Sequence, residues 1–404
     1  MRAISRPVTQ IAGSVRAPGD KSCSHRAVMM AAVAAGESTV TGLLEGEDVL
    51  NTAKAVQALG AGVERTGPGA WTIAGVGAKG FSSPQGDLDF GNSGTGARLM
   101  MGLVGGHAVS ARFVGDASLS SRPMERVLKP LREMGVGAET APGGRLPALI
   151  RGGNLKAIRY APPEASAQVK SAIMLAGLRA DGVTIVEEKE ATRDHTERML
   201  RAFGVEVGVE ERGAGGPIVS VRGGQMLKAL KAEVAGDPSS AAFALAMALI
   251  AGEGGASVTG MLDNRTRTGF IDAAKAMGAD LRTEEDGQAT GEDTVRVIAS
   301  PSRLRGVSLD PALVPSMIDE LPIFAVLAAF ADGKTKVTGA AELRVKESDR
   351  IKAICAMLSV NGVDVEELPD GFIVTGLGAK GVRGGGTVEA RHDQQQAFLQ
   401  RQSA

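Results

Sequence analysis

Hydrophobic and polar positions along the chain repeat one pattern five times. In each copy, apolar residues at helical spacing end at a glycine, and an alternating, strand-like run follows. The turn glycines are Gly60, Gly135, Gly204, Gly278 and Gly362, at intervals of about 70 to 84 residues. Glycine ends helices in this way because it adopts the left-handed backbone that other residues avoid. The pattern therefore predicts five helix–turn–strand units.

Further strand-like runs lie between these copies, among them WTIAGV, VTIVEE and GFIVTG, so each unit is a mixed α/β module. Such modules are longer than the 20 to 50 residues of most solenoid repeats, which favours closed domains. Turn-forming residues in APGDKS and VAGDPSS interrupt the pattern. We place the domain boundaries there. Residues 21–235 then form an inserted domain with three units, and residues 1–20 and 236–404 form a split domain.

The composition narrows the function classes. With 45 basic and 46 acidic side chains in 404 residues, the chain lacks the broad charge that nucleic acids or anionic membranes attract. Its two cysteines, Cys23 and Cys355, form neither a disulfide framework nor a metal-ligand spacing, so we expect no metal. The N-terminus has no apolar targeting segment, and no long uncharged apolar run occurs elsewhere. The expected compartment is the cytoplasm.

Two segments place chemistry at predicted helix starts. In GDKSCSHR, Asp20 or Ser22 is the expected N-cap, and Lys21 and Arg26 lie beside the free N–H groups. This arrangement indicates a phosphate or carboxylate site; the alternative is a capped helix with two solvated cations. In GNSGTGAR, the glycines around Gly94 let the backbone approach a ligand closely. The spacing matches neither the Walker nor the dinucleotide pattern, which disfavours nucleotide binding.

Three further segments carry polar residues at predicted helix starts. Arg122 begins one of them, and Ser166 and Gln168 offer neutral hydrogen-bonding groups at another. Asp319 and Glu320 precede a strongly apolar helix, where an acid serves either as a cap or as a general base.

The segment LRVKESDR is expected to be helical. Lys346 and Arg350 then lie four apart on one helical face with Glu347 beside them, and a salt-bridged surface helix is the alternative. Cations are thus spread over several glycine-rich or helix-start positions in a chain without net charge. Together they indicate a substrate with several anionic groups.

These segments resemble the 5-enolpyruvylshikimate-3-phosphate synthase family, most closely its bacterial class II type. The matching motifs are PGDKSCSHR, GNSGTGAR, SRPM, ASAQVKSA, GDPSSAAF, PSMIDE and LRVKESDR, in order from about residue 8 to 380. The resemblance implies an α/β enolpyruvyl transferase fold with two domains of βαβαββ units around pseudo-threefold axes. It also implies a cytoplasmic, monomeric transferase of the shikimate pathway that needs no metal or organic cofactor.

The resemblance also implies roles for individual residues. Shikimate 3-phosphate would contact Lys21, Ser22, Arg26, Ser166, Gln168, Arg193 and Lys346. Phosphoenolpyruvate would contact Lys21, Gly94, Arg122, Gln168 and Arg350. Asp319 would take the proton of the attacking hydroxyl, while Lys21 and Glu347 are candidates for protonating the methylene carbon. A UDP-sugar enolpyruvyl transferase is the less favoured relative, because a lysine–asparagine pair is expected there in place of Lys21 and Ser22.

The C-terminal segment departs from the family pattern. His392 and Asp393 match it, but Gln395 stands where the family has an arginine that holds phosphoenolpyruvate. The spacing of the turn glycines also leaves no room for a sixth unit before residue 404. We therefore expect a shortened split domain, less activity than in a full-length relative, and weaker binding of phosphoenolpyruvate than of shikimate 3-phosphate. A catalytically impaired homologue that binds shikimate 3-phosphate is the corresponding alternative.

Overall fold

The computed structural model describes residues 10–388, apart from Ala214 and Glu347. The strands are β1 Gln10–Arg16, β2 Ala35–Thr41, β3 Gly62–Gly67, β4 Ala70–Val76, β5 Leu88–Asp89, β6 Ser110–Val114, β7 Gly137–Ala141, β8 Arg145–Arg151, β9 Leu155–Lys156, β10 Arg159–Tyr160, β11 Ala180–Asp181, β12 Val183–Glu187, β13 Val207–Glu210, β14 Ile218–Arg222, β15 Lys231–Glu233, β16 Glu253–Leu262, β17 Asp280–Ala289, β18 Glu292–Ser300, β19 Asp332–Val337, β20 Asp364–Leu368 and β21 Gly371–Leu377.

The α-helices are α1 Lys21–Val33, α2 Glu47–Ala58, α3 Gly94–Gly105, α4 Ala117–Ser121, α5 Glu125–Met134, α6 Ala167–Gly177, α7 His195–Ala202, α8 Pro238–Ile250, α9 Gly269–Ala276, α10 Leu321–Phe330 and α11 Arg350–Val360. Short 3₁₀ turns span Gly77–Lys79, Pro311–Ser316, Ala341–Val345 and Gly378–Lys380. Within residues 10–388, none of these helices combines the length and the apolar character that crossing a bilayer requires.

The chain divides into two compact units. The inserted unit consists of residues 18–235 together with the short segment 288–292. The split unit contains, within the described residues, 10–17, 236–287 and 293–388. Each unit has its own apolar core, built largely from alanine, valine, leucine, isoleucine and methionine.

Every four-stranded sheet has the same strand arrangement. The inserted unit contains three, in the orders β15-β2-β4-β3, β5-β6-β8-β7 and β10-β12-β14-β13. In each, the first two strands are parallel and the others are antiparallel. The split unit repeats the arrangement in β1-β16-β18-β17. Its other sheet, β19-β21-β20, gains a parallel edge through isolated bridges from Arg305 and Ser308 to β19. The predicted α/β fold of repeated βαβαββ units is confirmed.

The predicted turn glycines explain how each unit reverses direction. All five adopt a left-handed backbone, with φ between 82° at Gly362 and 112° at Gly135. Each follows a helix and precedes the strand that the alternating pattern predicted. A residue with a Cβ would be strained at these positions, so glycine at each helix end is a structural requirement.

Buried helices form the centre of each unit, and the candidate functional residues lie in or next to their first turns. From Cys23 onward every residue of α1 is buried. The backbones of α3 and α6 approach so closely that a Cβ added at Gly102 would lie 2.2 Å from the Ala172 carbonyl oxygen. Because apolar side chains surround these helices, polar groups concentrate at the helix starts, where backbone N–H groups lack partners within the helix.

Candidate active site

The first turn of α1 presents the first group of predicted residues. Asp20 is the N-cap, and its Oδ1 accepts a hydrogen bond from the Cys23 backbone N–H at 2.8 Å. Ser22 is half-buried and Lys21 is exposed, with its Nζ 3.3 Å from Asp48 Oδ2. An exposed pair of this kind contributes little to stability, so Lys21 can exchange this contact for an anion at the helix N-terminus.

Arg26 is buried rather than solvated. Its Nε donates to Thr196 Oγ1 at 2.8 Å and its Nη2 to Ser171 Oγ at 2.9 Å. Its Nη1 donates to the Ser22 carbonyl oxygen at 2.9 Å. Burial lowers the pKa of the guanidinium below its usual 12.5. The network ties the first turn of α1 to α6 and α7, so the alternative of a solvated cation is wrong for Arg26.

The first turn of α3 brings the backbone close to two guanidinium groups. Ser93 caps this helix through a hydrogen bond from the Gly96 N–H to its Oγ at 3.1 Å. A Cβ added at Gly94 would lie 3.0 Å from Arg98 Nη1 and 3.3 Å from Arg122 Nη1. Glycine at position 94 is therefore what allows both cations to reach the helix start.

The charge at this helix start is strongly positive. Burial, followed by the positive charges of Arg122 and Arg126, lowers the pKa of Arg98 to about 10. Neutral side chains hold Arg122, because its Nη2 donates to Asn92 Oδ1 and to Ser118 Oγ. Mutually repelling cations beside the positive end of a helix are an arrangement that suits an anion such as a phosphate or carboxylate.

Gln168 connects this group to the start of α6. Its Oε1 accepts from Arg98 Nη1 at 3.0 Å, and its Nε2 donates to Thr95 Oγ1 at 3.0 Å. Ser166 caps α6 by accepting from the Val169 N–H at 3.4 Å. Arg193 is half-buried in the segment before α7. The structure thus joins residues from segments 73 positions apart, which sequence spacing alone did not relate.

The candidate residues of the split unit include a direct ion pair. Arg350 Nη1 lies 3.2 Å from Asp319 Oδ1, and the side chain of Arg350 is only 7 % exposed. Arg350 is the first residue of α11, which Asp349 caps by accepting from the Lys352 N–H at 3.0 Å. An adjacent guanidinium favours the ionised carboxylate, which is the form that a general base requires.

The predicted position of Lys346 on a helical face is wrong. Lys346 follows the 3₁₀ turn Ala341–Val345, and α11 begins only at Arg350. Asp349 caps the helix at that point and so separates the two cations, because an N-cap residue has a non-helical backbone. Lys346 Nζ lies 3.0 Å from Glu342 Oε1. Glu347, and the C-terminal residues His392, Asp393 and Gln395, lie outside the described residues.

The sequence did not reveal a buried ionic cluster beside α6. Lys170 Nζ lies 2.8 Å from Glu188 Oε2 and 2.7 Å from Glu197 Oε1, with all three side chains at most 3 % exposed. Burial raises the pKa of Glu188, while the charge of Lys170 opposes the rise. A lone lysine in an apolar helix is a signal that a partner exists, but it does not say which acids provide it.

His25 is a further polar residue inside the core. Its Nδ1 lies 2.8 Å from Thr52 Oγ1, and its Nε2 lies 3.4 Å from Ser93 Oγ. Burial, together with the charges of Lys21 and Arg26, lowers its pKa to about 3. The imidazole is therefore neutral near pH 7, and it links α1 to α2 and to the cap of α3 without adding charge.

Comparison with known proteins places the chain in a family. Residues 5–397 match the family model described as EPSP synthase (3-phosphoshikimate 1-carboxyvinyltransferase). A 3-phosphoshikimate 1-carboxyvinyltransferase from Hyphomonas neptunium is 57 % identical over 390 residues, covering 96 % of this chain and 89 % of the relative. A 3-phosphoshikimate 1-carboxyvinyltransferase from Maricaulis maris is 51 % identical over 398 residues, covering 98 % of this chain and 88 % of the relative.

The solved structures agree with this relationship. An EPSP synthase from Acinetobacter baumannii superposes with a TM-score of 0.87 at 44 % identity. The match covers 96 % of this chain and 88 % of the neighbour. With the sheets, the turn glycines and the helix starts that carry cations described above, these matches show that the chain belongs to the EPSP synthase family.

Proposed function

We propose that this chain transfers the enolpyruvyl group of phosphoenolpyruvate to the 5-hydroxyl of shikimate 3-phosphate and releases phosphate. The observation that carries the proposal in the structure is the pair of Arg98 and Arg122 beside Gly94 at the start of α3. Phosphoenolpyruvate bears a phosphate and a carboxylate, and two guanidinium groups at the positive end of a helix match that charge.

Within the inserted unit, we propose that the anionic and hydroxyl groups of shikimate 3-phosphate contact residues at and before the first turns of the helices. Lys21, Ser22 and Arg26 are the proposed shikimate 3-phosphate contacts on α1. The others are Ser166, Gln168 and Arg193. Lys21 and Gln168 are also proposed to contact phosphoenolpyruvate, together with Gly94 and Arg122. The buried network of Arg26 supports a positioning role, because its guanidinium holds the Ser22 carbonyl in place.

Within the split unit, the proposal uses Asp319, Lys346, Glu347 and Arg350. The hydroxyl oxygen bonds to C2 of phosphoenolpyruvate as its proton passes to Asp319, and C3 takes a proton from Lys21 or Glu347. The tetrahedral adduct then loses phosphate from C2, which leaves with the proton held by Asp319. The new methyl group returns a proton to the same Lys21 or Glu347, which restores the double bond. Arg350 contributes a charge toward phosphoenolpyruvate and holds Asp319. The proposed chemistry calls on no metal or organic cofactor.

A phosphate-release assay with both substrates tests the function. Phosphate is expected only when shikimate 3-phosphate and phosphoenolpyruvate are present together, and not when a UDP-sugar replaces shikimate 3-phosphate. Calorimetric titration with shikimate 3-phosphate runs in parallel. Binding without turnover would contradict the proposed activity and favour the impaired homologue, whereas turnover with the UDP-sugar would favour the related transferase.

Gly94→Ala is expected to weaken the binding of phosphoenolpyruvate. It should also weaken the binding of glyphosate, a competitor that we propose binds in the same place. The new Cβ lies 3.0 Å from Arg98 and 3.3 Å from Arg122, so both guanidinium groups must move away from the helix start. Loss of a charged hydrogen bond corresponds to roughly 10- to 150-fold in binding. The inhibition constant of glyphosate and the KM for phosphoenolpyruvate measure the effect.

Gly153→Ala is the matched control, since a Cβ there meets nothing within 4 Å. It should leave both constants unchanged. Wild-type values in Gly94→Ala would show that neither ligand uses the start of α3.

A further inference from the structure

His195 has a buried ring nitrogen that the candidate active site does not use. The side chain is fully buried at the start of α7, and its Nδ1 lies 2.7 Å from Glu292 Oε1. Among the residues that the structure describes, Nε2 has no hydrogen-bond partner. In the neutral imidazole, Nδ1–H donates a hydrogen bond to the carboxylate of Glu292, and Nε2 then carries a lone pair. A buried lone pair without a partner is costly and indicates a ligand.

Two further donor groups lie beside this imidazole. The ligand atoms of Asp20, Cys23 and His195 all lie within 4.8 Å of one another. The three residues are at most 2 % exposed. The hydrogen bond from the Cys23 N–H to Asp20 Oδ1 fixes the first two on the same helix turn. Sulfur, imidazole nitrogen and carboxylate oxygen are the donor set that Zn²⁺ prefers, and three such ligands leave a fourth position open.

The charge around these atoms also suits a divalent cation. A thiolate at Cys23, the carboxylate of Asp20 and the carboxylate of Glu292 provide three negative charges. Two cations lie near them. Burial lowers the pKa of Arg26 while nearby anions, Cys23 first, oppose that effect, and Arg198 Nε lies 3.5 Å from Glu292 Oε2. Because Arg198 pairs with Glu292, a divalent ion matches the two negative charges of its own ligands, the Cys23 thiolate and the Asp20 carboxylate. Glu292 behind the imidazole reproduces the carboxylate–histidine–metal arrangement that orients a histidine ligand.

We propose that Asp20, Cys23 and His195 form a binding site for a divalent transition-metal ion of the zinc type, with Glu292 orienting the histidine. Binding displaces the thiol proton of Cys23, which leaves to the solvent. Lys21 and Ser22 lie between the two α1 ligands, so an ion there holds this turn in one conformation. Under the proposed function, the ion therefore acts as an inhibitor and not as a cofactor.

Cobalt is the probe, because Co²⁺ bound to a thiolate shows a charge-transfer absorption band. Titration of the full chain with Co²⁺ should produce this band with one ion per chain, and Zn²⁺ should remove it. Cys23→Ser should lose the band. The matched control is Cys355→Ser, which changes the other cysteine, in the split unit, and should keep it. The proposed site would be overturned if the wild-type chain showed no charge-transfer band, or if Cys23→Ser kept the band.

Two further variants keep the proposal testable if Cys23→Ser unfolds. Asp20→Asn preserves the helix cap, since asparagine caps as well as aspartate, but it removes one anionic ligand. Glu292→Gln removes the charge behind His195, which should weaken Zn²⁺ binding roughly 10- to 100-fold. Unchanged Zn²⁺ affinity in both folded variants would contradict the ligand set. Zn²⁺ binding without any loss of turnover would overturn the inhibitory role alone, so it is distinguishable from failure of the proposed function.

Discussion

Asp319→Asn is expected to lower kcat by about 10²- to 10⁴-fold, the usual contribution of a general base. Asparagine has nearly the same size, and its carbonyl oxygen can still accept from Arg350 Nη1, which lies 3.2 Å from Asp319 Oδ1. It lacks the basicity to take the hydroxyl proton. Binding of shikimate 3-phosphate should therefore persist while phosphate release nearly stops. Calorimetric titration and steady-state kinetics separate these two quantities.

Asp364→Asn is the matched control for this experiment. Asp364 is an exposed acid on β20 of the same unit, where it accepts a hydrogen bond from Thr375. The same chemical change there should leave kcat within experimental error. Near wild-type turnover in Asp319→Asn would exclude Asp319 as the base. A loss of shikimate 3-phosphate binding would instead assign it a structural role through Arg350.

Lys170→Met is expected to cause the largest loss of stability. It leaves Glu188 and Glu197 buried without the cation that both contact within 2.8 Å. Breaking a buried ion pair from one side typically costs about 3–5 kcal/mol. A domain has only about 5–15 kcal/mol of unfolding free energy, so the inserted unit should unfold at markedly lower temperature or denaturant concentration. Calorimetry and urea titration measure the change.

The pH dependence of this variant has a definite sign. Burial already raises the pKa of Glu188 in the presence of Lys170, and removal of the cation should raise it further. The folded state then binds a proton that the unfolded state has released near neutral pH. The unfolding free energy of the variant therefore falls as pH rises from the carboxyl pKa of the unfolded chain toward the raised pKa of Glu188. The difference in unfolding free energy between variant and wild type should shrink as pH is lowered toward the carboxyl pKa of the unfolded chain.

Two variants test the explanation for Lys170. Lys129→Met makes the same change at an exposed position on α5 and should alter stability by no more than about 0.5 kcal/mol. Adding Glu188→Gln and Glu197→Gln to Lys170→Met removes the stranded charges and should restore much of the lost stability. No recovery in the triple variant would show that packing of the lysine stem, and not charge, dominates.

Local interactions made much of the fold predictable. The turn glycines Gly60 and Gly135 were identified from their own segments, because a left-handed backbone after a helix favours glycine regardless of distant contacts. Asp20 was one of two expected caps for the same reason, since its partner is only three residues away. Lys346 shows the limit of such patterns: a spacing of four suggested one helical face, but a cap at Asp349 starts the helix after it.

The sequence alone determined the repeated α/β units, the helix starts that carry cations, and the motifs of the family. Tertiary structure alone decided what each charged side chain contacts. Arg26 binds residues 145 and 170 positions away, and His195 meets Glu292 from 97 positions away. The physical reason is that caps and turns are satisfied within a few residues. A buried charge is instead satisfied by whichever groups packing brings near it, and sequence spacing does not encode that proximity.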